Sequence, residues 1–312
     1  MSSVAAIGKK KRGARKESAV CLCMALTPII GFVIFGLAPM LMAIVMSTMK
    51  IRGFSFDNSL FVGLDNYKTV FLDAKFREAI INTFVMATSV PITLLLSLLI
   101  AILLNKKLAG TKIFRTIFFI PFACSAVALT TMWKWMYNTD SGLINGFLNG
   151  VLGITDSKGQ PIGWVTDVKY FWQSMIIMTV WGGLGFNIIL FTAALGNVPK
   201  VYYEAAKIDG ASRPRQFLSI TWPGISPVTF YLFTMGLIAA LQEFARYHVM
   251  TNNLTATGKE VTIVYYLYKM FTNNIITQGM GMASATSLIL GVMILMITAL
   301  NFLMAKFWVK YD

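Results

Sequence analysis

Two polar sequences interrupt long apolar runs and hold the side chains best suited to binding a polar solute. One is Gln242-Glu243, near the end of the run from 225 to 247, and the other spans 181–187 with the sequence Trp-Gly-Gly-Leu-Gly-Phe-Asn. Amide and carboxylate groups exchange hydrogen bonds with hydroxyl groups, and flat aromatic rings stack against apolar faces. An ionisable group inside a membrane costs several kcal/mol unless it faces protein or water, so Glu243 is a candidate functional residue.

Each of these sequences also has a structural interpretation. Glu243 could instead be the ion-pair partner of Arg246 or of Lys134. The glycines at 182, 183 and 185 are compatible with close helix packing, and equally with a locally interrupted helix that exposes its backbone beside a solute path. The sequence leaves both pairs of alternatives open.

The chain lacks the residue sets that an enzyme needs. The single histidine, His248, rules out histidine-based metal clusters and weakens any hydrolase triad; we expect it to be solvated or interfacial. Gly258-Lys259 is followed by Glu260 and has no glycine five positions earlier, so a phosphate-binding loop cannot form. We therefore expect no catalytic residue, no metal and no cofactor bound by this chain.

A third polar stretch, residues 197–223, separates two apolar runs and predicts a short helix. Pro199 suits the first turn of a helix that can run to Asp209. Gly210 can then adopt the left-handed conformation that ends a helix.

A second short helix can follow at once. Ser212 is a suitable N-cap with Pro214 in the first turn, and Trp222-Pro223 is expected to stop or kink the helix near Ile220. The stretch therefore predicts two short helices at an angle.

The composition is that of an all-α polytopic membrane protein. Of the 312 residues, 56% are hydrophobic and 13% are charged, about half the charged share of a typical soluble domain. The net charge of +14 does not indicate nucleic-acid binding, because the basic residues lie in short segments between apolar runs.

Six runs are long enough to cross a bilayer, which requires roughly 20 apolar residues. We expect a basic cytoplasmic tail over 1–18 along the membrane lipid, followed by one transmembrane domain over 19–312. The predicted spans are 20–49, 79–104, 113–137, 171–196, 225–247 and 283–308.

The distribution of Lys and Arg predicts the orientation. Sixteen of the 27 basic residues lie in the N-terminal tail, the 105–115 loop, the 197–223 loop and the C-terminus. These segments are separated from one another by pairs of predicted spans, so all four lie on the same side of the membrane. Because positive loops stay inside, we expect both termini and the 197–223 loop to be cytoplasmic.

The third polar stretch resembles the signature loop of membrane subunits of ABC importers. Its pattern is Glu204-Ala205-Ala206, three residues, Gly210, nine residues, Ile220, two residues and Pro223. The one departure is Trp222, where the family commonly has Leu. Gly63-Leu64-Asp65-Asn66-Tyr67 and the 181–187 sequence resemble the branch that imports sugars, oligosaccharides and glycerol phosphates.

This resemblance implies a type I permease fold with six transmembrane helices in a bacterial inner membrane, and a cytoplasmic coupling loop over 197–223. It implies three kinds of protein partner: a second homologous permease subunit, an ATPase dimer that holds ATP and Mg, and an extracytoplasmic solute-binding protein. It also implies a sugar or oligosaccharide substrate. The implied ATPase-coupling residues are Glu204, Ala205, Ala206, Asp209 and Gly210.

The resemblance further implies a solute pathway in the membrane. Gln242 and Glu243 fall where maltose-type subunits hold sugar-contacting asparagines, with Glu243 a departure from Asn. The candidate pathway residues are Trp181, Gly183, Phe186, Asn187, Gln242 and Glu243.

Two other functions remain as alternatives to an importer permease. One is an ion-coupled secondary carrier, which would be expected to show several intramembrane carboxylates and an internal repeat. The other is an intramembrane enzyme.

Overall fold

The computed structural model describes residues 20–51, 59–106, 110–251, 261–273 and 279–310, which are mostly helical. The predicted tail over 1–18 lies outside these residues. The strands are β1 Met49–Lys50 and β2 Leu60–Phe61, and the helices are α1 Val20–Ser47, α2 Asp65–Leu72, α3 Ala74–Asn105, α4 Thr111–Ala123, α5 Ala126–Met136, α6 Leu143–Leu152, α7 Val168–Asn197, α8 Lys200–Ile208, α9 Arg213–Leu241, α10 Ala245–Thr251, α11 Ile263–Asn273 and α12 Gly279–Trp308.

Five of the described helices, α1, α3, α7, α9 and α12, are long and apolar enough to cross a membrane. The helices α4 and α5 pass the same test only as a pair, bent by 102° at a short break. The prediction of six spans therefore holds when the bent pair is counted as one span.

A break between α4 and α5 divides the predicted span over 113–137 into two helices. Pro121, one turn before the break, has no backbone N–H to donate to the preceding turn. Cys124 is extended, with φ −79° and ψ 149°. The Ser125 hydroxyl then accepts a hydrogen bond from the Ala128 amide at 3.2 Å, so α5 begins with its own N-cap.

Helix α9 decides between the two outcomes expected at Trp222-Pro223 and corrects one further prediction. The helix does not stop at these residues: it continues through both of them, and the irregularity near Ile220 is a π-helical stretch at Phe217–Thr221. A π-helical turn changes the hydrogen-bond spacing, so a proline that cannot donate is accommodated without ending the helix. At the other end α9 stops at Leu241, so Gln242 and Glu243 lie beyond the helix and not inside a span.

The first compact unit comprises the described residues within 1–70 and 270–288. Strands β1 and β2 pair antiparallel just after α1. The buried Asn66 amide donates to the carbonyls of Ser47 at 2.8 Å and Met49 at 2.9 Å, and the Tyr67 hydroxyl lies 2.7 Å from the Ser47 hydroxyl. Hydrogen bonds from the polar side chains of α2 therefore fix the position of the C-terminal end of α1.

The second unit comprises the described residues within 71–269 and 289–312, and α7 lies at its centre against α3, α4 and α9. Two hydrogen bonds join α3 to the start of α11: Asn82 Nδ2 donates to the Val261 carbonyl at 3.1 Å, and the Ile263 amide donates to the Thr83 hydroxyl at 3.0 Å. This packing positions the polar sequences considered next.

Candidate coupling helix and solute pathway

Helix α8 contains the Glu-Ala-Ala sequence and has the predicted ends. It follows Pro199, which is the N-cap residue, and Gly210 beyond its C-terminus is left-handed with φ +71°. The Ala211 amide donates to the Ala206 carbonyl at 2.8 Å, and the Gly210 amide donates to the Lys207 carbonyl at 3.1 Å. These bonds are those of a glycine-ended helix, which confirms the predicted role of Gly210.

One side of α8 presents uncovered apolar side chains. Val201, Tyr202 and Ile208 are 69%, 59% and 87% exposed, and Ala205 lies between them at helical spacing. Glu204 and Asp209 are also exposed. A helix with an uncovered apolar face flanked by carboxylates is suited to binding another protein.

Hydrogen bonds and close packing connect the α8 region to the first part of α9. The Tyr203 hydroxyl lies 2.8 Å from the Thr221 hydroxyl, and the Gln216 side-chain amide donates to the Ala211 carbonyl at 2.8 Å. A Cβ atom on Gly224 would lie 2.9 Å from Val198 Cγ2, so the start of α9 packs closely on the residue between α7 and α8. Direct contacts therefore connect α8 and its flanking residues to the start of α9.

The glycines of the 181–187 sequence serve close packing. Helix α7 is continuous through them, so the interrupted-helix interpretation is wrong. A Cβ on Gly182 would lie 3.0 Å from Leu129 of α5, a Cβ on Gly183 would lie 3.0 Å from Thr93 of α3, and a Cβ on Gly185 would overlap the Phe118 carbonyl of α4. At each of these glycines, the absence of a side chain allows a different neighbouring helix to pack closely against α7.

The aromatic residues of this sequence face α4. The Phe186 ring stacks on Phe122 with centroids 5.2 Å apart and an interplanar angle of 23°, and Trp181 lies 6.3 Å from Phe118. Both Phe186 and Phe122 are exposed, at 36% and 46%. Sequence reasoning missed Phe122; its position beside Pro121, in a run of phenylalanines, was the available signal.

Glu243 has a partner within its own segment. Its Oε2 lies 2.6 Å from Nη1 of Arg246, and its Oε1 accepts a hydrogen bond from the Arg246 amide at 3.1 Å. Glu243 therefore caps α10 and forms an ion pair with the first turn of that helix. The ion-pair interpretation with Arg246 is confirmed, and Gln242 beside it is exposed.

His248 is half-buried, and its ring contacts three aromatic side chains. Its ring stacks on Phe244 at 5.1 Å and contacts Tyr268 at 5.2 Å and Tyr265 at 6.0 Å. Its Nδ1 is buried and has no hydrogen-bond partner among the described residues. His248 is thus part of an aromatic cluster between α10 and α11.

The structure separates the pathway candidates into two groups. Trp181, Gly183, Phe186 and Asn187 lie on α7, whereas Gln242 and Glu243 lie between α9 and α10. Within the described residues, no hydrogen bond or ring contact joins the two groups. Trp181 packs against the core cluster that includes Tyr247 of α10.

The apolar spans and the exposed helix α8 define a polytopic membrane transport subunit. The chain belongs to the family of binding-protein-dependent transport system inner membrane components, whose family model matches residues 59–308. This family consists of permease subunits and not of enzymes.

Relatives cover nearly the whole chain. The probable ABC transporter permease protein YesP of Bacillus subtilis is 32% identical, with 97% of this chain and 96% of that protein covered. The diacetylchitobiose uptake system permease protein NgcF of Streptomyces coelicolor is 35% identical, with 89% and 80% covered. Neither relative supports the alternative of an ion-coupled secondary carrier.

A solved structure shares the fold. It is a chain from the crystal structure of a bacterial alginate ABC transporter in complex with alginate pentasaccharide-bound periplasmic protein. The TM-score is 0.80 at 23% identity, with 93% of this chain and 95% of that chain covered. The predicted ABC importer permease fold is confirmed.

Proposed function

We propose that this chain forms half of the translocation pathway of an ABC importer that takes up a sugar or oligosaccharide. A solute-binding protein delivers the solute, a second homologous permease supplies the other half, and a separate ATPase dimer hydrolyses ATP with Mg. Family membership and the diacetylchitobiose permease relative support this substrate class.

The exposed apolar face of α8 is the observation that carries the proposal. Tyr202, Ala205 and Ile208 are exposed, and a face of this kind is buried when a partner docks. Glu204 lies on the same exposed helix and can pair with a basic group of the ATPase. The small side chains of Ala205 and Ala206 permit close approach, while Asp209 and Gly210 fix the end of the helix.

Coupling is tested by Glu204→Lys and Gly210→Ala. Each variant should insert into the membrane but lose solute-stimulated ATPase activity and bind the ATPase more weakly, because the first reverses a charge and the second strains the left-handed turn. Gly159→Ala is the matched control, since Gly159 is also left-handed, with φ +73°, and also has open space around it. Normal stimulation in both test variants would remove the coupling role.

The orientation proposed is that both termini and α8 are cytoplasmic. The concentration of Lys and Arg in alternate loops supports it. Single cysteines at Arg213 and Asp156 should be labelled by an impermeant reagent from the inside and the outside respectively. The native Cys21, Cys23 and Cys124 are exposed and must first be replaced by Ser. Labelling of position 213 from outside would contradict the orientation.

The proposed solute pathway includes Trp181, Gly183, Phe186, Asn187, Gln242 and Glu243. The stacked Phe122 and Phe186 rings provide an apolar surface suited to a sugar ring, and Gln242 and Glu243 provide hydrogen-bonding groups. The last prediction of the Discussion tests this assignment.

A further inference from the structure

The short helix α6 turns its apolar side chains outward and a polar one inward. Leu143, Phe147 and Val151 follow one another at intervals of four residues, which places them on one face, and each is more than half exposed. Asn145 lies on the opposite side and is buried, next to the partly buried Ile144. A helix in water normally shows the reverse arrangement. The outer face of α6 is therefore suited to surroundings other than water.

Asn145 fixes α6 to aromatic residues at the ends of two spans. Its side-chain amide donates to the Ile162 carbonyl at 2.9 Å, and its Oδ1 accepts a hydrogen bond from Nε1 of Trp164 at 2.9 Å. The centroid of the Trp164 ring lies 5.8 Å from that of Tyr137, directly after α5, and 6.0 Å from that of Tyr170, in the first turn of α7. Because tryptophan and tyrosine concentrate at the level of lipid headgroups, these contacts place α6 at that level.

The start of α6 is also held against the end of α5. The Gly142 amide donates to the Asn138 carbonyl at 3.0 Å, and a Cβ atom on Gly142 would overlap the carbonyl oxygens of Met136 and Asn138. Helix α5 belongs to the bent pair that is apolar enough to form a span. A helix that begins against the end of a span lies close to the membrane surface.

The size and charge of the outer face favour lipid over a protein partner. The ten residues of α6 extend about 15 Å, so a face about 10 Å wide offers roughly 150 Å². A stable protein interface buries about 800 Å² on each partner. The helix also contains no charged residue that could orient a protein partner. A lipid surface requires neither a large matched area nor complementary charges.

We infer that α6 lies in the plane of the membrane interface, with Leu143, Phe147 and Val151 inserted between lipid molecules. Interfacial helices bury their apolar face about 5–10 Å into the boundary between headgroups and acyl chains. In α6 the buried Asn145 is bonded to the protein, so the helix attaches the connection between α5 and α7 to the bilayer surface. This role goes beyond the proposed function and depends neither on the solute nor on the ATPase.

The test measures the depth of nitroxide labels in the full-length chain, reconstituted without other subunits in nanodiscs of phosphatidylcholine and phosphatidylglycerol. The native cysteines are first replaced by Ser, and Leu143→Cys, Phe147→Cys and Val151→Cys are labelled one at a time. Collisions with oxygen, which partitions into lipid, are compared with collisions with a Ni(II) chelate, which stays in water. Ser157→Cys, at an exposed position in the loop after α6, is the water control, and Leu95→Cys, at an exposed position of α3, is the lipid control.

The three α6 labels should collide more often with oxygen and less often with Ni(II) than the label at position 157. They should lie about 5–10 Å deep. Their depths should agree, whereas a helix standing across the interface would separate the labels at 143 and 151 by about 12 Å. Such a separation would overturn the inference.

Two other results would also contradict it. Ni(II) collisions as frequent as those at position 157 would show that the outer face of α6 lies in water. Infrequent collisions with both reagents would show that a second copy of the chain covers the face. Because no ATPase or solute-binding protein is present in this experiment, its outcome is independent of the coupling tests.

Discussion

The backbone of α7 at Gly185 lies against the carbonyl oxygen of Phe118 in α4, closer than any side chain would allow. This contact explains why α7 keeps a glycine at a position where alanine would form a better helix. It also sets the distance between α7 and α4, and hence the stacking of Phe186 on Phe122.

Gly185→Ala should destabilise the protein despite its better helix propensity. Overpacking a close contact costs about 1–3 kcal/mol, while alanine recovers up to about 1 kcal/mol of propensity. Gly196→Ala is the matched control in the same helix, since a Cβ there meets nothing within 4 Å. Thermal unfolding in detergent should show a loss for Gly185→Ala and no loss or a gain for Gly196→Ala. Equal stability of the two variants would contradict the packing role.

Asn66→Ala should loosen the end of α1. The Asn66 amide satisfies two carbonyl groups, those of Ser47 and Met49, and leaving buried acceptors unpaired costs about 1–3 kcal/mol. Asn66→Asp should cost more, because a carboxylate would face two carbonyl oxygens. Tyr67→Phe removes one hydrogen bond to Ser47, whose hydroxyl keeps its bond to the Ile44 carbonyl, and should cost least. The order of melting temperatures among the three variants checks this prediction.

Tyr266 should make stability depend on alkaline pH. Burial, together with the hydrogen bond that its hydroxyl donates to Asp73 at 2.7 Å and the charge of that carboxylate, raises the pKa of Tyr266. The folded state therefore holds the phenol proton more tightly than the unfolded state. The resulting stabilisation is complete below the ordinary tyrosine pKa of about 10 and is lost as pH rises through the raised value.

The measurement compares wild type with Tyr266→Phe. The wild type should be the more stable at pH 8, and the difference should shrink at pH 11. A difference for Tyr266→Phe that is unchanged between the two pH values would refute the explanation.

The features predicted most reliably are those that depend on residues close together in the sequence. The helix α8 and its left-handed Gly210 follow from Pro199 and the glycine, because helix ends are decided within a few residues. The pairing of Glu243 with Arg246 was foreseen as an alternative for the same reason, since the two are three residues apart.

Features that depend on contacts between distant segments were not predicted. The break at Cys124 was not predicted either, although Pro121 and Ser125 are local signals of it, because the apolar run from 113 to 137 continues past that residue. The stacking of Phe122 on Phe186 and the ring contacts of His248 with Tyr265 and Tyr268 join residues on different helices. Hydrophobic periodicity identifies which segments are buried, but it does not identify their partners.

Selectivity for the solute should change in Glu243→Gln and in Trp181→Ala. Glu243 is 16% exposed at its side chain, and its carboxylate oxygens retain lone pairs beyond the bonds to Arg246, so it can also accept solute hydroxyl groups. A hydrogen bond to a charged group contributes about 1.5–3 kcal/mol. Its loss should slow uptake by roughly one to two orders of magnitude if all of it falls on the transport barrier.

Arg246→Gln is the control that separates this role from a purely structural one, because it breaks the same ion pair from the other side. If Glu243 only holds α10, the Glu243→Gln and Arg246→Gln variants should lose stability alike and slow the uptake of every sugar equally. We expect instead that Glu243→Gln and Trp181→Ala assemble with their partners and retain basal ATPase activity. Uptake assays across a panel of sugars should then show an altered preference in both variants and an unaltered preference in Arg246→Gln. Wild-type rates for every sugar in Glu243→Gln and Trp181→Ala would place the pathway elsewhere.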